Sequence, residues 1–406
     1  MLRMLRDAIP KRKRWSLRMP IRILLAPLLA SLLGAPARAG GETMSDEELY
    51  ERWATYVRRE LPAWVHHKKA WGEDVGWLAS PMLRGLVRGY EYSGDASWLA
   101  ALTEQVDTLL DRVEVTDGFP GWGHRIVGEA LVLEPVLHFI DLASHDDRMP
   151  EVYRRKAADY LDRIEPALIT KWEGMGRWKE THLNCGTFVE GITLPHNKNA
   201  HVGMMLLLAA KVTPSAERRS DYLDKAAKLA RRWRKFLKTK DDHYVWHYWD
   251  AAGSWDFDEE GKSRHWTSLE HRGYGSLDVA FVAMAYDYGI VFSRHDVVRH
   301  CRTFLTEVWN GDVDNPEYRA LGTFNPKYVK SSIYGALARF DGQILQLVEK
   351  SLKENPESWG AISGVPAYLL TKREAAGFER RNEDLPAASL GDVQRSAFGS
   401  APGDGP

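Results

Sequence analysis

Cysteine is nearly missing from this chain: Cys185 and Cys301 are the only two in 406 residues. That scarcity excludes a disulfide framework and any cysteine-based zinc site, and leaves open only whether the two thiols meet. Net charge is missing as well. Lys and Arg number 55 against 56 Asp and Glu, a formal charge of -1, so no overall basic field points to nucleic acid. Selectivity for an anionic partner would have to come from a local patch. No Walker loop occurs, no glycine-rich turn follows a strand, and no HExxH spacing occurs; the usual marks of nucleotide and zinc chemistry are absent. His66, His67, His243, His247 and His265 lie in or near loops without ligand spacing. No cofactor and no metal site are expected from them, and a divalent cation is left as an open extra.

The one long apolar run, Ile23 to Leu33, follows a basic stretch (Arg3, Arg6, Lys11 to Arg14, Arg18, Arg22) and precedes Ala35-Pro36-Ala37-Arg38-Ala39. This is the pattern of a secretory signal cleaved after Ala39. The run is short for a membrane span, with an uncleaved anchor as the alternative. The expectation is a signal peptide over 1–39, a periplasmic or secreted mature protein, and no stable membrane span after cleavage.

What is present is the composition of a folded protein, 44% hydrophobic and 27% charged, with sixteen Trp, sixteen Tyr and twelve Phe. Flat aromatic faces suit sugar rings as well as cores. The Ser45-Asp46-Glu47-Glu48 capping box opens an amphipathic helix to about residue 65, without a partner in the repeat that follows. An apolar helix (81–92) then breaks at Ser93-Gly94-Asp95 and is followed by an amphipathic one (96–113). The same couple recurs at 124–145 with 149–166, 200–213 with 216–238, 276–290 with 293–309, and less cleanly at 331–338 with 341–354. Apolar first helices inside and charged second helices outside predict an all-α protein, an α/α toroid built as an incomplete ring of hairpins. The alternating aromatic stretch His243 to Asp250 predicts a short β-hairpin or loop lid that contains Trp246. The toroid is expected over 40–377, and the small-residue tail 378–406 to be disordered.

Alternating direction puts the N-terminus of every inner helix on one rim, where backbone N–H groups are unpaired and the helix dipole favours anions. The unusual residues lead into those helices: Glu73, Asp74 and Trp77; Trp122, His124 and Arg125; the run His196 to His201; and Glu270, His271, Arg272 and Tyr274 ahead of an N-cap at Ser276. Each has a plain structural role available. Asn197 or Asn199 could simply cap a helix, His201 could be a satisfied histidine beneath the rim, Tyr274 could bond a carbonyl, and Arg272 could pair with Glu270 or Asp278. As a set they supply a carboxylate neutraliser, a base and an acid, the groups needed for β-elimination from a polyuronate.

The layout of apolar first helices, the turn YEYSGDASWL, the box NKNAH and the segment EHRGYGSLDVAFVAMAYDYG resemble the alginate lyase-like superfamily of polysaccharide lyases with α/α toroid folds. The resemblance covers roughly residues 45–355 and is stronger in layout than in letters. It implies a carbon–oxygen lyase acting on an anionic polysaccharide such as alginate or glucuronan. Its site would comprise Asn199 (or Asn197), His201, Arg272 and Tyr274, with His271 able to replace either partner. Substrate contacts would come from Asn197, His271, Glu270, Trp122, His124, Trp77 and Trp246. The spacing departs from the pattern: Asn and His are not adjacent, and Arg272 stands only two residues before Tyr274. The rivals are a glycoside hydrolase using Glu73 or Asp74 with Glu270, a uronate C5-epimerase, and a non-catalytic glycan-binding module that keeps the tryptophans without needing Tyr274 or His201.

Overall fold

The computed structural model describes residues 44–64, 70–265, 274–320 and 331–383, with side chains to 375. Eleven helices carry the architecture among these residues: α1 Asp46–Glu60, α2 Glu73–Ser93, α3 Ala96–Leu110, α4 Ile126–His145, α5 Glu151–Ile164, α6 His196–Val212, α7 Ala216–Phe236, α8 Tyr274–Asp287, α9 Arg294–Thr303, α10 Gly342–Glu354 and α11 Trp359–Glu383. Helices α11, α2, α4, α6 and α8 pack side by side in that order as an inner layer. Each of α2, α4, α6 and α8 is followed by an outer helix (α3, α5, α7, α9) folded back along it. The fold is an α/α toroid.

The inner helices can hold this place because nearly every face of them is apolar. In α4 and α6 buried residues recur at almost every position, including Val127, Leu131, Leu133 and Leu137 on α4 and Met205, Leu206 and Leu207 on α6. The outer helices bury one stripe only, such as Ala157, Tyr160 and Ile164 on α5. A helix that is apolar all round must be surrounded, and one with a single stripe belongs at the surface.

Four readings from the sequence change. Helix α2 begins at Glu73 rather than at Pro81, with the proline inside it; a proline removes one backbone bond, to the Trp77 carbonyl, and surrounding contacts carry the helix past it. Helix α8 is already helical at Tyr274, so Ser276 lies in its first turn instead of capping it. The segment 331–338 holds only the 3-10 turn Gly335–Leu337. Helix α1 does have a partner, α11: Trp53 Nε1 donates to the Ile362 carbonyl at 2.8 Å and Lys372 Nζ pairs with Asp46 Oδ2 at 2.8 Å, joining the two ends of the helical array.

Three two-stranded antiparallel hairpins decorate the ring: β1 Glu114–Thr116 with β2 Phe119–Gly121, β3 Trp178–Thr181 with β4 Cys185–Phe188, and β5 Lys238–Lys240 with β6 His243–Val245. All three lie in connections that lead from an outer helix into the next inner one. They therefore gather on the rim that carries the inner-helix N-termini; the hairpin expected around residues 243–250 is found instead over 238–245, and Trp246 lies just past it. Cys185 and Cys301 are both free and buried. No helix among the described residues is long and apolar enough to cross a membrane.

Candidate functional site

Glycine sets the geometry of the rim. A Cβ on Gly128 of α4 would lie 2.4 Å from the Gly72 carbonyl oxygen, and one on Gly76 of α2 would lie 2.4 Å from the Gly128 carbonyl oxygen. Only hydrogen at these positions lets the two backbones touch. Helices α2 and α4 consequently start in direct contact, and the first turns of α2 reach over the interior of the ring.

The interior is polar at this level. Glu73 opens α2, and its Oε1 accepts from Trp77 Nε1 at 3.0 Å, while Oε2 pairs with Lys198 Nζ of α6 at 2.6 Å. Deeper along α2, Arg84 donates through Nε and Nη2 to the two carboxylate oxygens of Glu134 on α4, at 3.1 and 2.6 Å. His201 of α6 stands between these layers. Its ring meets Trp77 edge-on with centroids 5.7 Å apart, and its Nδ1 lies 3.6 Å from Glu134 Oε2. Helix α4 separates α2 from α6 in the ring, so the Lys198–Glu73 and His201–Trp77 contacts can form only across the interior.

Two ionisation states follow. Burial opposes charge on Glu134, but the Arg84 guanidinium and the His201 ring outweigh it and hold the carboxyl well below the usual carboxylate range. Burial pushes the His201 imidazole down, and Arg84 pushes the same way; Glu134 offsets this only in part. His201 is 1% exposed, and neither ring nitrogen has a hydrogen-bond partner among the described residues. A neutral imidazole backed by an ionised carboxylate is the arrangement of a general base, with Nδ1 facing Glu134 and Nε2 left to accept a proton.

A second cluster is built from the rim loops at the heads of α6 and α8. Tyr274, half-buried at the start of α8, tilts against Tyr248 with centroids 5.6 Å apart, and the Tyr248 carbonyl accepts from His196 N at the start of α6. Tyr248 thus ties the head of α8 to the head of α6. Behind it, Arg232 Nη1 bonds His196 Nδ1 at 3.3 Å, which leaves Nε2–H to donate to Asp250 Oδ2 at 3.0 Å. Burial brings His196 down to about 4, so it is a neutral structural group. Asp256, fully buried, accepts from Thr193 N, Thr193 Oγ1 and Ala252 N, each at 2.7 Å, and pins the 249–265 loop to the strand leading into α6.

The residues singled out from sequence divide sharply. His201 and Trp77 meet, and Asn197 stands one turn before His201 on α6 with its Oδ1 buried and unpartnered among the described residues. Asn199 points elsewhere: Oδ1 accepts from Phe188 N at 3.1 Å, and Nδ2 donates to Thr187 Oγ1 at 3.1 Å and the Leu194 carbonyl at 2.8 Å. That amide is saturated by strand β4 and cannot also bind a substrate carboxylate. Trp122 is a core residue, fully buried with Nε1 donating to the Leu109 carbonyl. Trp246 is another, bonded to Asp278 and packed on Trp233 and His300. His124 is buried with Nε2 against the Thr116 carbonyl, in a left-handed backbone conformation (φ 53°) that anchors β1 to the head of α4. Asp74 is exposed on the outside of the first turn of α2. Glu270, His271 and Arg272 lie outside the described residues.

Arg84, Glu134 and Lys198 belong to this candidate site and were not singled out from the sequence. Arg84 and Glu134 had a signal, a charge within a mostly apolar inner helix, which needs a partner in a dry core. Lys198 had a weaker one, its position three residues before His201. Among the described residues no group of three His, Cys, Asp or Glu side chains is placed to hold a metal ion.

No protein-family model matches the chain, and no curated protein does. Solved structures do resemble it. A family 76 glycoside hydrolase (mannosidase) from Bacteroides thetaiotaomicron VPI-5482 aligns over 82% of this chain and 99% of its own at 10% identity and a TM-score of 0.50. The GH76A α-1,6-mannanase of Salegentibacter sp. HEL1_6, as an inactive variant in complex with α-1,6-mannotriose, aligns over the same shares at 11% identity and a TM-score of 0.48. A polysaccharide lyase aligns over 85% of this chain and 93% of its own at 12% identity and a TM-score of 0.38. At such identities the likeness establishes the class of fold, an α/α toroid, and nothing about the reaction.

Proposed function

We propose that the protein is an exported carbohydrate-active enzyme, a polysaccharide lyase that cleaves a uronic-acid polymer by β-elimination in the manner of the alginate lyase-like superfamily. The observation that carries this reading is His201, an imidazole kept neutral by burial, 3.6 Å from an ionised Glu134 and edge-on to Trp77 across the interior. In the proposed reaction His201 Nε2 takes the C5 proton of the uronate. The freed electron pair forms the C4–C5 double bond as the C4–O bond breaks, and the Tyr274 hydroxyl returns a proton to the departing oxygen. Both groups then re-equilibrate with water. Two-carboxylate hydrolysis, by contrast, needs a carboxylic acid held protonated in the cleft. Among the described residues Glu134 is held ionised by Arg84 and Glu73 is engaged by Lys198, while Glu270, the other hydrolase nominee, lies outside them.

The test is ultraviolet absorbance during incubation of the protein from residue 40 with alginate, glucuronan, glycosaminoglycans and α-1,6-mannan, beside Tyr274→Phe and His201→Gln variants. Elimination leaves a conjugated, absorbing double bond. A rise on a uronate polymer, abolished by either substitution, supports the lyase. New reducing ends without absorbance would replace it with a glycoside hydrolase.

A further inference from the structure

His201 cannot react as it stands, because 1% exposure leaves no room for a sugar beside it. On one side it meets a chain of three side chains. Trp77 abuts its ring edge-on, Glu73 holds the Trp77 indole through Oε1, and Lys198 holds Glu73 through Oε2. The central member of that chain is a carboxylate, half-buried and seated at the head of the interior between an indole N–H and an ammonium group. A uronate presents the same chemical group, attached to the ring whose C5 proton must reach His201.

We propose that Glu73 is an internal stand-in for the substrate carboxylate: an incoming uronate takes the Lys198 ammonium, Glu73 is released, and Trp77 moves with it to uncover His201. Three features fit this exchange. The Lys198–Glu73 pair is partly solvated, at 22% and 31% exposure, so swapping one carboxylate for another costs little desolvation, unlike the fully buried Lys171–Glu129 pair (2% and 0%). Lys198 is one turn from His201 on the same helix, so a carboxylate held there sets the sugar ring beside the base. Of the two amides expected to neutralise the substrate, Asn199 or Asn197, the first is committed to strand β4. A neutral sugar cannot perform the exchange, so the gate selects for charge before any chemistry.

This inference rests on the lyase reading, and the experiment separates the two. Tryptophan fluorescence titrations would use a saturated, non-cleavable uronate tetrasaccharide and mannotetraose as probes, with the wild type, Glu73→Gln, Lys198→Met and Lys198→Arg, each checked for folding by circular dichroism. The expected result is uronate binding strengthened at least threefold in E73Q, weakened at least tenfold in K198M and largely restored in K198R, with little binding of mannotetraose throughout. Uronate binding that is unchanged or weaker in E73Q, or unchanged in K198M, overturns the gate while the lyase reading stands. Wild-type binding of mannotetraose in preference to the uronate overturns the lyase reading and the gate with it.

Discussion

His201 and Trp77 face each other edge-on at 5.7 Å although a whole helix, α4, separates the helices that carry them. The contact is possible only because inner helices converge on a common interior, and it marks where that interior changes from packed hydrocarbon to chemistry. If His201 is the base, replacing it with Gln removes the proton acceptor while keeping volume and polarity. Turnover is expected to drop by roughly 10²–10⁴-fold with the melting temperature little changed. Since burial holds the imidazole below its ordinary value, the base is lost only when pH falls through that lowered value. The kcat/KM profile should therefore rise with pH through a midpoint below 6.5, and Glu134→Gln should move that midpoint lower still. A midpoint above 6.5 would rule out a neutral buried His201 as the base.

Asn199 should behave as a structural residue. Asn199→Ala strands the Phe188 N–H and the Leu194 carbonyl, both bonded to its amide, at a cost of roughly 2–4 kcal/mol. Urea unfolding should register the loss, and the protein that remains folded should turn over normally. A hundredfold drop in kcat without loss of stability would return Asn199 to the chemistry.

Acid should unfold the protein through two buried histidines. His196 and His300 are each brought to about 4, in both cases chiefly by burial. Their folded-state values lie below the unfolded value near 6.5, so stability is complete above about 6.5 and is lost as pH falls toward 4. Each contributes roughly 3 kcal/mol to that loss. Unfolding free energies measured between pH 7 and pH 4 should show it, and His300→Phe, in a site lined by Tyr244, Trp246 and Phe292, should flatten the slope. A slope unchanged in that variant would remove His300 from the account.

Gly128→Ala tests the rim. Its methyl would have to displace the Gly72 backbone, 2.4 Å away, and backbone yields less readily than a side chain. The expected outcome is a loss of a few kcal/mol in urea unfolding, together with weakened substrate binding as Glu73 and Trp77 shift with the head of α2. Normal stability in this variant would contradict the close approach of α2 and α4.

Much of the candidate site was hidden for a physical reason. Asn197, Asn199, Trp122, His124 and Trp246 are all polar or aromatic residues near inner-helix heads, and proximity in sequence says nothing about which way a side chain faces. Spacing could not show that Trp122 and Trp246 donate their indole N–H groups to buried acceptors, because those acceptors, Leu109 and Asp278, lie on helices distant in sequence. The stretch Glu270 to Arg272 lies outside the described residues.

The sequence by itself determined the alternation of all-round apolar helices with single-striped ones. That alternation is a local property of composition and period, and burying the first kind inside the second leaves a toroid as its solution. Only the tertiary structure decided which residues share the interior. Trp77, Arg84, Glu134, Lys198 and His201 come from three different helices, and their meeting depends on how closely α2 and α4 approach. That distance is set by glycines whose significance lies in the side chain they lack.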